Sequence, residues 1–234
     1  MRLSRSLQTI RQAVRWTPVG PLLRAVLLML AAMLVSGQAV AELVEGRDYR
    51  RVQPAQATDS PGKIEVVEFF SYACPHCAQL NPLIKQWAEK QPGDVVFRRV
   101  PVLFNRTPWA NLARLYYALD VTGELPRLDQ VVFDSLHKDG ENLANPSVLN
   151  EWLVKRNVNV QKFNDAYNAF GVRGRVNQGD QLSRGYAIDG VPALAVNGQY
   201  LINSELPHDQ QIRIAEALIA KVRSAGAQAG KSKK

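Results

Sequence analysis

The chain has 234 residues, 46% of them hydrophobic, with 29 Lys and Arg against 21 Asp and Glu and a net charge of +8. That length suffices for a domain with a sizeable core, and two cysteines cannot supply a multi-disulfide framework. No basic stripe interleaved with aromatic residues occurs, which argues against nucleic-acid binding.

Residues 1–41 read as a targeting segment. Arg2, Arg5, Arg11, Arg15 and Arg24 form a basic n-region without an acidic residue, and Ala25 to Val35 is an apolar core of eleven residues. Ala39-Val40-Ala41 fits the small-x-small pattern of a cleavage site, which places the cut after Ala41. A membrane anchor is the competing reading, but eleven residues fall short of the roughly 20 that a span needs. The cut leaves 193 residues, with 24 basic and 21 acidic, a charge of only +3. Export brings the chain into an oxidising compartment.

Residues 49–52 can form a first short strand, and residues 54–62 a polar loop. Residues 64–70, IEVVEFF, are short, apolar and rich in β-branched and aromatic side chains, which predicts a buried strand. After a bend, Leu80, Leu83, Ile84, Trp87 and Ala88 recur at helical spacing. Gln91-Pro92-Gly93-Asp94 is a turn, and residues 95–102 are a second strand. Helices follow at 107–119, 125–137, 146–155, 160–170 and 172–186. Strands return at 193–196 and 200–203 around an Asn197-Gly198 hairpin turn. An amphipathic helix at 207–222 closes the domain, and the small, basic residues 225–234 read as a frayed tail.

The only cysteines are Cys74 and Cys77, in Cys74-Pro75-His76-Cys77. A disulfide three residues long closes too small a loop to brace a fold, so the pair reads as reactive. Cys74 falls at the helix N-terminus with Pro75 in the first helical position. Unpaired backbone N–H groups and the positive end of the dipole face its sulfur there. Protonated His76 adds positive charge, and both effects favour thiolate. Such a dithiol tends to hand its disulfide to another protein. Cys77, one turn further on, is placed to resolve a mixed disulfide. Glu68 shares a strand face with Ile64, Val66 and Phe70. A carboxylate in that company loses solvation and its pKa rises. His137 and His208 read as surface histidines, and Trp87, Trp109, Tyr116, Tyr117 and Trp152 as core.

The order strand, CxxC helix, strand, helices, Gly-Val-Pro, hairpin, helix resembles a thioredoxin-like α/β fold with an inserted helical subdomain. EFFSYACPHC and GVPALAVNG resemble, more narrowly, the DsbA family of secreted thiol:disulfide oxidoreductases. The resemblance implies a thioredoxin-like domain in two parts, 42–106 and 188–225, around a helical insertion at 107–187, with 226–234 a flexible basic tail. It implies that Cys74 is the nucleophile, Cys77 the resolving cysteine, and His76 a residue that tunes the pair. Pro192 corresponds to the cis-proline beside the active site. Val191, Pro75 and Tyr72 would line the substrate groove. Glu68 would pair with a base on the next strand, here Arg99, and exchange protons with Cys77. The family pattern has lysine where this chain has Arg99, and arginine cannot give up a proton.

The implied activity is disulfide donation to reduced secreted proteins in the periplasm by a monomer. It needs no metal or soluble cofactor. Reoxidation would come from a membrane partner of the DsbB type linked to quinone. Within the enzyme class, a reductase or isomerase is the alternative, though residues 42–63 leave no room for the dimerisation domain usual in isomerases. A metal-binding module is the alternative from another class. Two thiolates and one histidine within four residues do not readily close a tetrahedral zinc site. A third reading is a holdase that binds unfolded chains without redox chemistry.

Overall fold

A computed structural model describes residues 43–231; the expected targeting segment at 1–41 lies outside them. The order is β1 (Tyr49–Arg51), β2 (Ile64–Phe70), α1 (Pro75–Glu89), β3 (Val95–Pro101), α2 (Thr107–Thr122), α3 (Leu125–His137), α4 (Pro146–Lys155), α5 (Val160–Asn168), α6 (Phe170–Gly185), β4 (Ala193–Val196), β5 (Tyr200–Ile202) and α7 (His208–Lys231). The strands form one mixed sheet in the order β1-β5-β4-β2-β3. β2 and β3 are parallel, which requires a crossover, and α1 supplies it. β4 lies antiparallel on the other side of β2.

Every residue of β2 is buried. This interior strand is covered on both faces, and all of it but Glu65 and Glu68 is apolar. Leu80, Ile84 and Trp87 of α1 pack with Ile214, Leu218 and Ile219 of α7 over one face. Tyr186 and Leu182 cover Val67, Phe69 and Val100 on the other. A third cluster holds the helices between β3 and β4 together. Phe133, Trp152, Leu153 and Phe163 fill it, and Phe70, Tyr72 and Cys77 extend it to the active-site loop.

Helix ends follow local chemistry. Gly123, at φ +81°, ends α2, with Glu124 N–H returning to the Leu119 carbonyl. Asn145 and Asn159 cap α4 and α5 by accepting from backbone N–H groups in their first turns. Asn197 and Gly198 both have positive φ, the conformation of a two-residue hairpin turn. Gly198 is also required by space, since a Cβ there would lie 2.0 Å from the Gln56 carbonyl oxygen.

Boundaries differ from the sequence expectations by more than one residue at three places, the first being α2, which runs to Thr122 and not 119. α5 stops at Asn168, and α6 begins at Phe170 after an extended Ala169. Phe170 therefore opens a new helix and stays exposed. The closing helix runs to Lys231, past the expected end at 222. Residues 223–231 include three alanines, the best helix formers, so the segment expected to fray from 225 is helical to Lys231 even without an apolar face.

Candidate active site

β2 carries the chain to Ser71, where it bends. The Ser71 carbonyl accepts from Cys74 N–H at 3.0 Å, and its hydroxyl accepts from Ala73 N–H at 3.2 Å. Cys74 is thereby set as the N-cap of α1 with extended backbone, and Pro75 occupies the first helical position. Cys74 is 8% exposed, Cys77 is fully buried, and the two are free thiols. Across from them the Val191-Pro192 peptide bond is cis. The Cys74 thiol donates to the Val191 carbonyl, 3.3 Å from Sγ to O.

The two sulfurs are electrostatically unequal. The Cys74 thiol is drawn down to about 6. The largest cause is the hydrogen bond from the Cys77 thiol, which burial opposes; the backbone N–H groups of Cys77 and His76 and the charge of His76 follow. Cys77 is pushed well up, first by burial, then by its bond to Cys74 and by the charges of Glu68 and Cys74. The helix start and His76 thus contribute as expected, but the partner thiol contributes most. His76 itself is exposed, with Nδ1 3.3 Å from Gln79 Oε1.

Beneath Cys77 lies a buried charge network. Glu68 faces Arg99 in the β2–β3 register. Arg99 Nε donates to Glu68 Oε2 at 2.7 Å, and Nη1 donates to Asp129 Oδ1 at 2.9 Å. The Tyr72 hydroxyl also donates to Asp129 Oδ1, at 2.8 Å. The Arg99 guanidinium lies 3.9 Å over the Phe70 ring, an attraction strengthened by desolvation. Burial raises the Glu68 carboxyl despite Arg99. Burial also pushes Asp129 up, but Arg99, Tyr72 and Lys85 outweigh it and the net shift is downward. The two acids share Arg99, yet among the described residues only Asp129 has further donors, Tyr72 and Lys85. Arg98 turns to the opposite face, where it meets Glu65 and Asp59.

Cys74, Cys77, Val191 and Pro192 therefore meet at one point, with Glu68 and Arg99 behind Cys77. Pro75 is exposed beside them and borders a pocket of about 330 Å³ with Gln79, Phe133 and His137. Tyr72 corrects the groove expectation: it is 1% exposed, and its hydroxyl is committed to Asp129. An aromatic ring two residues before Cys74 has the apolar cluster of α3 to pack against, so it turns inward. His137 is exposed as expected, but its Nε2–H also donates to the Tyr72 carbonyl at 2.8 Å. Asp129 escapes the sequence reading, although a signal existed. It falls within the stripe of Leu125, Leu128, Val132, Phe133 and Leu136, where an acid needs a buried partner.

A thioredoxin-like sheet, a CxxC pair at a helix start with unequal sulfurs, and a cis-proline beside the outer sulfur together define a thiol–disulfide oxidoreductase. Residues 65–215 match the DSBA-like thioredoxin domain, and the chain belongs to that family. The thiol:disulfide interchange protein DsbA of Azotobacter vinelandii is 38% identical, over 79% of this chain and 87% of its own. The DsbA of Pseudomonas aeruginosa strain PAO1 is 34% identical, over 87% and 97%. A crystal structure of Pseudomonas aeruginosa DsbA aligns with a TM-score of 0.76 and 34% identity, covering 79% of this chain and 97% of that one. The oxidoreductase NmDsbA1 from N. meningitidis aligns with a TM-score of 0.73 and 29% identity, over 80% and 97%.

Proposed function

We propose that the protein is an exported dithiol oxidase that donates the Cys74–Cys77 disulfide to reduced proteins in the periplasm, after cleavage behind Ala41. A substrate thiolate attacks Cys74 Sγ. The Cys74–Cys77 bond breaks, and its electron pair leaves on Cys77, which takes a proton with Glu68 as the nearby acid. A second substrate thiolate attacks the substrate sulfur of the mixed disulfide and expels Cys74 as a thiolate. The substrate loses two electrons and the protein gains them. Val191 offers its backbone to an extended substrate chain beside Pro192. A quinone-linked membrane partner of the DsbB type returns the dithiol to the disulfide, and the protein works as a monomer.

The observation that carries this reading is the inequality of the sulfurs. Cys74, drawn down to about 6, leaves readily as a thiolate, and that stabilises the reduced form. The test is the redox equilibrium of residues 42–234 against glutathione, read from Trp fluorescence, with the Cys74 titration followed by thiolate absorbance. An oxidising potential with Cys74 well below the roughly 8.5 of a free cysteine is expected. A reducing potential with an ordinary Cys74 pKa moves the assignment to a reductase.

A further inference from the structure

Asp129 belongs to α3, one of the helices between β3 and β4, yet its carboxylate is spent on residues of the sheet and the active-site loop. Oδ1 accepts from the Tyr72 hydroxyl at 2.8 Å and from Arg99 Nη1 at 2.9 Å, and Oδ2 lies 3.4 Å from Lys85 Nζ. A guanidinium devoted to one carboxylate makes a two-point fork contact. Arg99 does not do so with Glu68. It gives Glu68 only Nε, gives Nη1 to Asp129, and leaves Nη2 without a hydrogen-bond partner among the described residues. Glu68 Oε1 is likewise without one, in a side chain with no exposure. Glu68 is therefore held at a single point, through Oε2, while Asp129 holds a separate arm of the same guanidinium.

We propose that Asp129 is a positioning residue for proton exchange at Cys77: by holding one arm of Arg99 and placing a second negative charge beside it, Asp129 keeps Glu68 able to bind and release a proton. The proposal rests on the reading of Glu68 as the proton partner of Cys77. When the Cys74–Cys77 bond breaks, the electron pair leaves on Cys77 Sγ. Protonated Glu68 gives its proton to that sulfur and becomes a carboxylate, and a proton from solvent later restores it. A Glu68 fully ion-paired with Arg99 has no proton to give.

The charged and titratable groups around Glu68 set the sign. Arg99 faces it from β3, Asp129 from α3, and Cys74 and Cys77 from α1. Tyr72, Tyr116 and Lys85 act through Arg99 and Asp129. β4 presents apolar Leu194 opposite Glu68. Of these, Arg99 favours the Glu68 carboxylate, while Asp129 and a Cys74 thiolate oppose it. Removing the Asp129 charge leaves Arg99 unbalanced, so Glu68 ionises more easily.

The test follows the Glu68 carboxyl carbon by NMR in purified, ¹³C-labelled dithiol protein across a pH titration. Asp129→Asn keeps the shape and one oxygen acceptor but loses the charge. Tyr72→Phe keeps the charge but loses the hydroxyl. The expected result is a fall of about threefold or more in Glu68 proton affinity in D129N, about half a pKa unit, and a smaller change in Y72F. A fall of less than about threefold in D129N, or a change in Y72F as large as in D129N, overturns the proposal. Asp129→Ser serves as the neutral variant where D129N does not fold. This readout does not depend on oxidase activity. A reducing potential would defeat the proposed function and leave the titration result standing, whereas an unmoved Glu68 would defeat this inference alone.

Discussion

Glu68 and Arg99 stand opposite each other in the β2–β3 register, 2.7 Å apart, and neither has appreciable contact with solvent. Two opposite charges on adjacent parallel strands satisfy each other where an isolated one would be costly. Arg99 also neutralises Asp129. Replacing it by Met leaves Glu68 unpaired and Asp129 with only Lys85 and the Tyr72 hydroxyl, and we expect a loss of about 3–5 kcal/mol in urea unfolding. The loss should depend on pH. Glu68 is already raised by burial, and without Arg99 it rises further. A carboxyl raised in the folded state costs stability as pH climbs above its unfolded value. R99M should therefore be least impaired in mild acid and most impaired in mild alkali. Equal losses at both ends would refute the assignment of Arg99 as the counter-charge.

The Cys74 titration makes a second prediction, for the dithiol form. Its folded pKa of about 6 lies below the ordinary thiol value of 9.0. A depressed acid contributes stability above its unfolded pKa and loses it as pH falls through the folded value. The dithiol protein should hold its greatest advantage over the disulfide form in mild alkali. That advantage should shrink as pH falls from 9.0 to about 6 and be gone below it. Thermal melts of the two forms across this range decide it. Parallel melting curves at every pH would mean that the Cys74 thiolate is not specially stabilised.

Substitution of either cysteine separates their roles. With Cys77→Ala, a substrate joined to Cys74 cannot be displaced by a resolving thiol from the protein. Mixing the variant with a peptide carrying an activated disulfide should give a one-to-one adduct at Cys74, seen as a mass increment. With Cys74→Ala, Cys77 is buried and its thiol is pushed up, so adduct formation should be slower by at least about a hundredfold. Comparable rates in the two variants would reverse the assignment.

The site was legible in the sequence wherever its chemistry is local. Cys74, Pro75 and Cys77 announce a helix start because a cap, a first-turn proline and an apolar face occupy fixed offsets. Glu68 could be singled out because it is the one acid among Ile64, Val66 and Phe70 on its strand face, Glu65 lying on the other. Arg99 was supplied by the family resemblance; the strand register sets it opposite Glu68, and alternation leaves Arg98 for the other face. Contacts between β2 and α3 were not legible in the same way. Nothing local says that the Tyr72 hydroxyl will find Asp129, 57 residues away, or that His137 will reach the Tyr72 carbonyl. Those bonds depend on how the helices between β3 and β4 pack against the sheet. For the same reason an exposed groove residue was expected at Tyr72, where the packed helices make a buried one.

The order of contributions at Cys74 can be measured directly. The Cys77 thiol contributes most to lowering it, and the charge of His76 contributes less. Cys77→Ala should therefore raise the Cys74 pKa more than His76→Ala does. His137 bonds the Tyr72 carbonyl, not the sulfur. His137→Ala should cost about 0.5–1.5 kcal/mol of stability, the worth of one hydrogen bond, and leave the Cys74 titration nearly unmoved. Thiolate absorbance across pH gives all three midpoints in one experiment. If His76→Ala raises the midpoint as far as Cys77→Ala, the histidine charge and not the partner thiol governs the nucleophile. If His137→Ala moves it as well, α3 controls the sulfur through the Tyr72 backbone, and the inserted helices become part of the redox centre.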